Sequence, residues 1–464
     1  MAKGRFQIDM SKGSIFKNTV LFAVPLILAS CLQLFYNAAD LVIVSRFAGS
    51  NAMASVGATS SVTNLLINLF IGLSLGGGVI ASRKFGAKDK EGMGRTVHSA
   101  MLLGLIAGIL AGILGIFISE PLLKMMGTPE GEVLDGAVLY MRILFLGVPA
   151  SLLYNFGAAI LRATGDTKRP LYILAASGLV NVVLNCVLVI IFHLDVAGVA
   201  IATAVSNYIS VISVLYIMMH SSEDVKLELK KLKFYKSELK EILKIGVPAG
   251  VQSSFFSLSN TVIQSSVNSY GEAAIAGNAA GGSIEGFVYV AMNAFYQATL
   301  TGVSQNYGAR DEKRIKKTLL INALCVTVVG FLLGALCVLL ARPLLGIYIN
   351  DSAEALSYGV TRMTVTCLPY FLCGLMEVLT GTLRGLGCST TTAITSFIGT
   401  CGFRIFWVKF CVDALVPMLT FLDSGIDILY LCWPISWLLV DIFHLITYAI
   451  IKPRAIRRMK GEFI

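Results

Sequence analysis

The sequence predicts an all-α integral membrane protein with twelve transmembrane helices in two pseudo-symmetric six-helix lobes. Three observations carry the prediction: an apolar excess, a dozen apolar runs of span length, and a repeat relating the two halves. Of 464 residues, 56% are hydrophobic and only 14% charged, and the mean hydropathy is +0.78. A soluble domain carries roughly a quarter charged residues, so the surplus apolar surface must face lipid. The net charge of +10 does not point to nucleic acid, because the basic residues cluster in short segments between apolar runs.

A bilayer core of about 30 Å takes about 20 apolar residues per helix. Such runs lie near 15–40, 52–81, 96–118, 136–161, 170–191, 197–219, 246–268, 279–306, 318–340, 357–383, 391–411 and 428–451. They are too long and too uniformly apolar for the strands of a membrane barrel. With the N-terminus in the cytoplasm, segments 1–17, 82–95, 162–169, 220–245, 307–317, 384–390 and 452–464 hold 30 of the 37 basic residues. This bias places both termini in the cytoplasm. In the longest connection, Leu239, Ile242 and Leu243 sit at helical spacing. That end reads either as an amphipathic helix on the inner surface or as plain linker. The domain division is 1–222 for the N-terminal lobe, 223–245 for a cytoplasmic linker and 246–464 for the C-terminal lobe.

The halves match in one register. Pro25 corresponds to Pro248, Asn37 to Asn260 and Gly49 to Gly271. Asp89 answers Asp311, Arg142 and Pro149 recur as Arg362 and Pro369, and Leu161-Arg162 with Gly165 recurs as Leu383-Arg384 with Gly387, at offsets of 220–223. Six spans per half is an even number, so both halves enter the membrane the same way round. A site between such halves near the midplane is transporter architecture.

Ionisable groups deep in a span are costly and usually functional. Outside the loops the acids are Asp40, Glu285, Glu377 and Asp441, and Arg404 is the one basic residue near mid-span. The repeat places uncharged Thr63 opposite Glu285 and Asn155 opposite Glu377, so the scaffold does not need these acids. Gln33, Tyr36, Asn37 and Asp40 make one face of helix 1 polar. Asn181 and Asn185 share a face of helix 5, and Thr203 lies in helix 6. These oxygens can converge to hold a proton or a small hard cation; the competing reading is a solvated Asp40 with amides that only tie helices together. Glu285, with Tyr289, Met292, Asn293 and Tyr296 on its face, suits a lipophilic cation, or else pairs with another helix through Arg404. Gln33, Tyr36, Glu285, Tyr289, Met292 and Glu377 are the candidates for a substrate cavity. Pro25, Pro149, Pro248 and Pro369 lie within spans as kinks.

Ten cysteines form no CxxC pair and four histidines no HExxH-like cluster, so neither metal nor disulfide use is expected. No Walker motif supports ATP use, no paired catalytic constellation supports an enzyme, and no A-x-A-like site follows the first apolar run.

The chain resembles the multidrug and toxin extrusion (MATE) family over essentially its whole length. The resemblance rests on Tyr36-Asn37-Ala38-Ala39-Asp40, Phe85-Gly86-Ala87-Lys88, Leu161-Arg162-Ala163-Thr164-Gly165-Asp166-Thr167-Lys168, Gly198-Val199-Ala200-Ile201-Ala202-Thr203 and Leu383-Arg384-Gly385-Leu386-Gly387, in order. It looks closer to the prokaryotic DinF-like branch. The resemblance implies a functional monomer in the prokaryotic cytoplasmic membrane. It implies alternating-access export of small, mainly cationic organic compounds in exchange for H⁺ or Na⁺, with lipids as the other partner and no cofactor. In similar proteins an N-lobe cluster binds the coupling ion, and its pattern falls on Asp40, Asn181, Asn185 and Thr203, with Asn37 beside them. Similar proteins often carry Asp where this chain has Asn185. With one acid fewer, H⁺ is favoured and Na⁺ at Asp40 is the second candidate; altered stoichiometry or another ion site is the other reading. The alternative function is a flippase for lipid-linked precursors. Its cavity needs several Arg or Lys, whereas the mid-span charges here are mostly acidic.

Overall fold

The computed structural model describes residues 6–221, 224–349, 352–412 and 425–461. The domain boundary expected at 222–223 lies outside them, as do Lys3 and Arg5 of the first basic segment. The described chain is helical throughout, without strands. In order the long helices are α1 (Ile15–Ala48), α2 (Gly49–Gly86), α3 (Lys90–Met125), α4 (Glu132–Ala163), α5 (Lys168–Ile191), α6 (Asp195–Met219), α7 (Lys236–Asn268), α8 (Glu272–Gly308), α9 (Glu312–Leu339), α10 (Ala353–Cys367), α11 (Tyr370–Gly385), α12 (Ser389–Cys411) and α13 (Gly425–Lys460).

Among the described residues, eight of these are long and apolar enough to cross a membrane, and the pair α10–α11 makes a ninth span. The other three, α2, α7 and α8, are 38, 33 and 37 residues long but richer in Ser, Thr, Asn and Gly. With these the described chain has twelve long helical segments of span length, as the sequence predicts. Pro25, Pro149 and Pro248 lie inside continuous helices. Pro369 does more, separating α10 from α11 at a 45° bend. Its ring supplies no N–H and clashes with the preceding turn.

The repeat seen in the sequence returns as geometry. Gly49 (φ +85°) turns α1 into α2, and Gly271 (φ +94°) turns α7 into α8. Both take the left-handed region that a Cβ disfavours. Lys88 and Arg310 share φ near +57°, each just before a capping aspartate. Asp89 accepts the Gly92 N–H at 2.8 Å, and Asp311 accepts the Arg314 N–H at 2.9 Å. The cap satisfies one of the orphan donors of the helix start. It also holds the Asp89 carboxyl below its ordinary range, through the Gly92 N–H first and Lys84 second.

Two compact units emerge. The first comprises Met1–Asp9 with Val24–Gly250, the second Met10–Ala23 with Val251–Ile464. Helices α1 and α7 therefore each contribute to both, changing membership within three residues of Pro25 and Pro248. Within the second unit, the Met10 N–H donates to Gln305 Oε1 at 2.8 Å, Thr19 Oγ1 donates to Asn322 Oδ1 at 2.8 Å, and Arg314 donates to the carbonyls of Met10, Lys12 and Gly13.

In the first unit the segment after α6 is docked rather than loose. The Glu228 and Tyr235 N–H groups donate to His98 Nε2 (3.1 Å) and Ser99 Oγ (3.0 Å) on α3, and Val225 and Leu227 are buried. The separate surface helix weighed for Leu239, Ile242 and Leu243 does not form. These residues are the first turns of α7, where Ile242 is fully buried beside Gly76 of α2 and Glu238 pairs with Arg95 at 2.8 Å. An apolar stripe that finds an apolar helix to pack on has no reason to lie on a membrane surface.

Candidate functional site

Three helices of the first unit bring a polar cluster together. Asn181 and Asn185 stand one turn apart on α5 and are both buried, Asn185 completely. Asn185 Nδ2 donates to Asp40 Oδ1 on α1 and lies 3.4 Å from Asn181 Oδ1. Asn181 Nδ2 lies 3.5 Å from Thr203 Oγ1 on α6. Asn185 Oδ1 is buried with no partner. The cluster contains one carboxyl, two amides and one hydroxyl. Tyr36, one turn before Asp40, donates its hydroxyl to the Ala175 carbonyl at 3.2 Å. Its ring lies against Gly178, where any Cβ would overlap it. Gly178 thus sets the approach of α1 to α5 and hence the reach from Asp40 to Asn185. Gln33 and Asn37 are exposed on α1 and stand apart from these hydrogen bonds.

The remaining candidates lie in the second unit and are differently disposed. Glu285 (α8) pairs with Arg362 (α10) at 2.8 Å. Its partner is therefore not Arg404, which donates instead to Ser436 Oγ (3.0 Å), Asn260 Oδ1 (3.1 Å) and Ser259 Oγ (3.4 Å). Glu377 (α11) accepts from the exposed Tyr289 hydroxyl at 3.4 Å. Met292 is fully buried with its sulfur 3.2 Å from where a Cβ on Gly330 would sit. It fills a helix–helix gap, the use to which thioethers are well suited, and offers no cavity wall. Asp441 and His444, a turn apart on α13, are both buried; neither oxygen of Asp441 has a hydrogen-bond partner, and His444 Nε2 lies 3.4 Å from Ser396 Oγ. Among the described residues no group of three or more His, Cys, Asp and Glu could hold a metal ion.

A model of the MatE family matches residues 25–187 and 248–408, one match in each half of the repeat and together well over half of the chain. The chain belongs to the MatE family. The relatives of this MatE protein include the probable multidrug resistance protein YoeA of Bacillus subtilis, 28% identical over 403 residues, which are 85% of this chain and 86% of YoeA. The multidrug export protein MepA of Staphylococcus saprophyticus is 24% identical over 376 residues, covering 81% and 83%. A multidrug resistance MATE family transporter solved in an outward-facing conformation superposes with a TM-score of 0.87 at 22% identity, over 99% of this chain and all of the other. At that identity the likeness concerns the fold.

Sequence reasoning missed Arg362. Its repeat counterpart Arg142 is about half exposed and pairs with Glu120 at 3.3 Å; Arg362 is 7% exposed. The signal was available in Glu285, since a carboxylate inside a span calls for a cation. The sequence does not say which of the basic residues answers it. Asn278, Gln264 and Ser259 were missed for a plainer reason: polar residues are frequent in α7 and α8, and periodicity does not rank them.

Proposed function

We propose that this MatE protein is a secondary active antiporter. It exports organic compounds by alternating access in exchange for an ion carried at Asp40. The observation that carries the reading is the set Asp40–Asn185–Asn181–Thr203, drawn from three helices around the one carboxyl of α1. The names of the relatives, a multidrug resistance protein and a multidrug export protein, supply the cargo class. The positive-inside bias supports a cytoplasmic membrane setting with both termini inside.

The favoured ion is H⁺. With a single carboxyl the cluster offers a sodium ion one formal negative charge, its other groups being two amides and a hydroxyl. A proton needs less. On protonation, Asp40 gains an O–H donor; a half-turn of the Asn185 amide then presents the unpartnered oxygen to it. Asp40 and Asn185 thus form a pair that satisfies both charge states in turn. A tenfold proton gradient supplies about 1.4 kcal/mol, enough to sustain about a tenfold gradient of a monovalent cation exchanged one for one; the membrane potential adds about 2.3 kcal/mol per 100 mV only where a net charge crosses. Cationic cargo draws support from Glu377 and Tyr289; Glu285 adds little, being neutralised by Arg362.

The test is ethidium efflux from proteoliposomes under a proton gradient alone and a sodium gradient alone, with wild type and Asp40→Asn in parallel. Efflux driven by protons and lost in Asp40→Asn is expected. Efflux driven only by sodium overturns the ion, and proton-driven efflux that survives Asp40→Asn overturns the site.

A further inference from the structure

The second unit holds a pocket of about 250 Å³ lined by Asn260, Gln264, Asn278, Gly282, Glu285, Arg362 and Trp433, among others. Its size, below the range of drug-sized sites, fits a molecule of amino-acid dimensions. Its charges do not suit a cation. Arg362 satisfies Glu285 at 2.8 Å, also donates to Asn278 Oδ1, and stacks on Trp433 with its guanidinium 4.6 Å from the ring centre. The acid is thereby neutralised, and the indole face that would receive an organic cation is already covered by one.

Behind Asn260 lies a second guanidinium. Arg404 is 2% exposed, and its hydrogen-bond partners are hydroxyl and amide oxygens. No carboxylate lies within 4.0 Å of it among the described residues. A buried charge without a counter-charge is expensive, and among the described residues that line or back this pocket two arginines stand against one glutamate. Arg404 also fixes Asn260. It holds Oδ1 at 3.1 Å, which aims the amide NH₂ the other way and keeps it from flipping, since a flip would set donor against donor. Asn260 therefore offers the pocket an N–H backed by a buried cation. Across the pocket, Glu285 Oε1 is an acceptor left over from its Arg362 bond.

The geometry points to a carboxylate-binding subsite. It takes a small carboxylate-bearing molecule with its anionic end on the Asn260 N–H that Arg404 backs, and a hydrogen-bond donor at its other end on Glu285 Oε1. As a cargo subsite it rests on the export reading above; as a binding site it can be tested without transport.

Three probes of one size separate the alternatives: butyrate, 4-aminobutyrate and butylammonium, titrated into the purified full-length protein and read by thermal unfolding. Butyrate and 4-aminobutyrate are expected to raise the midpoint while butylammonium does not. Arg404→Gln removes the charge behind Asn260 and the bond that orients its amide, and is expected to weaken both carboxylates by roughly tenfold. Glu285→Gln is expected to weaken 4-aminobutyrate and not butyrate, since it removes the charged acceptor and leaves Arg362 without its counter-charge. Asn260→Asp covers the chance that Arg404→Gln misfolds. It places a carboxylate against Arg404, so it should melt higher than wild type without ligand and respond to neither carboxylate. Stabilisation by butylammonium instead, or a butyrate response that survives Asn260→Asp, overturns the proposal. Ethidium efflux in the same preparation reports on the exporter reading separately, since that assay depends on Asp40 in the other unit.

Discussion

Asp40 has as its nearest polar neighbour an amide rather than a second acid, and this decides what the residue-scale chemistry can be. An amide donates or accepts but carries no charge, so it follows a proton more readily than it holds a sodium ion. Asn185→Asp should therefore change the ion preference. With two carboxyls in the cluster, a sodium gradient alone should begin to drive ethidium efflux, and wild type under the same gradient should not. Gly178 gives a packing counterpart. Gly178→Val forces a branched side chain into the Tyr36 ring, an overpacking that costs about 1–3 kcal/mol. It should lower the unfolding midpoint and impair efflux together; a normal midpoint and normal efflux would show that Tyr36 does not set the helix approach. Within each helix the cluster was legible because residues three and four apart share a face, which linked Tyr36 with Asp40 and Asn181 with Asn185; the grouping across three helices came from the family resemblance. Pairings between helices, such as Glu285 with Arg362, were not, because the sequence carries no distance between helices. Met292 was placed on one face with Glu285 and Tyr289 by its spacing, but that it packs against Gly330 is a tertiary fact.

At the scale of elements, the turn between α4 and α5 has an electrostatic role of its own. Asp166 is 1% exposed. It accepts the Arg169 N–H at 3.1 Å and pairs with the Arg169 side chain at 3.2 Å. Burial nevertheless lifts its carboxyl from 3.8 to about 6, outweighing Arg169 and Lys168. The folded group thus binds its proton more tightly than the unfolded one. Stability should fall as pH rises from about 4 to about 6 and level off above. Melting midpoints measured across pH 4–8 should show that decline in wild type and not in Asp166→Asn; superimposable profiles would contradict it. Element positions were readable from hydropathy, with ends shifted by several residues. The shifts have causes: α1 runs on to Ala48 because Gly49 is the first residue able to make the turn, and α7 begins at Lys236 because Ile242 finds a buried place beside α2.

For the whole molecule, duplication is the organising fact, and the departures from it locate the chemistry. Turn geometry is copied almost residue for residue at Gly49 and Gly271, Lys88 and Arg310, and Asp89 and Asp311. Asp40 and the Glu285–Arg362 pair belong to one half each. A duplicated scaffold with unlike centres suits a division of labour in which one unit carries the ion and the other contributes contacts to cargo. Outward-facing stripes such as Leu324, Val328, Phe331, Leu332 and Leu336 on α9 supply the lipid-facing surface that the composition demanded. On the proposed function the ion crosses on Asp40 in exchange for cargo. The most direct test measures both fluxes at once, with pyranine reporting lumenal pH in proteoliposomes while ethidium moves down an imposed gradient of its own. Wild type should show proton counterflow that starts and stops with ethidium, and Asp40→Asn should show neither coupled flux. Ethidium movement in wild type without any proton counterflow, or counterflow undiminished in Asp40→Asn, would contradict the account.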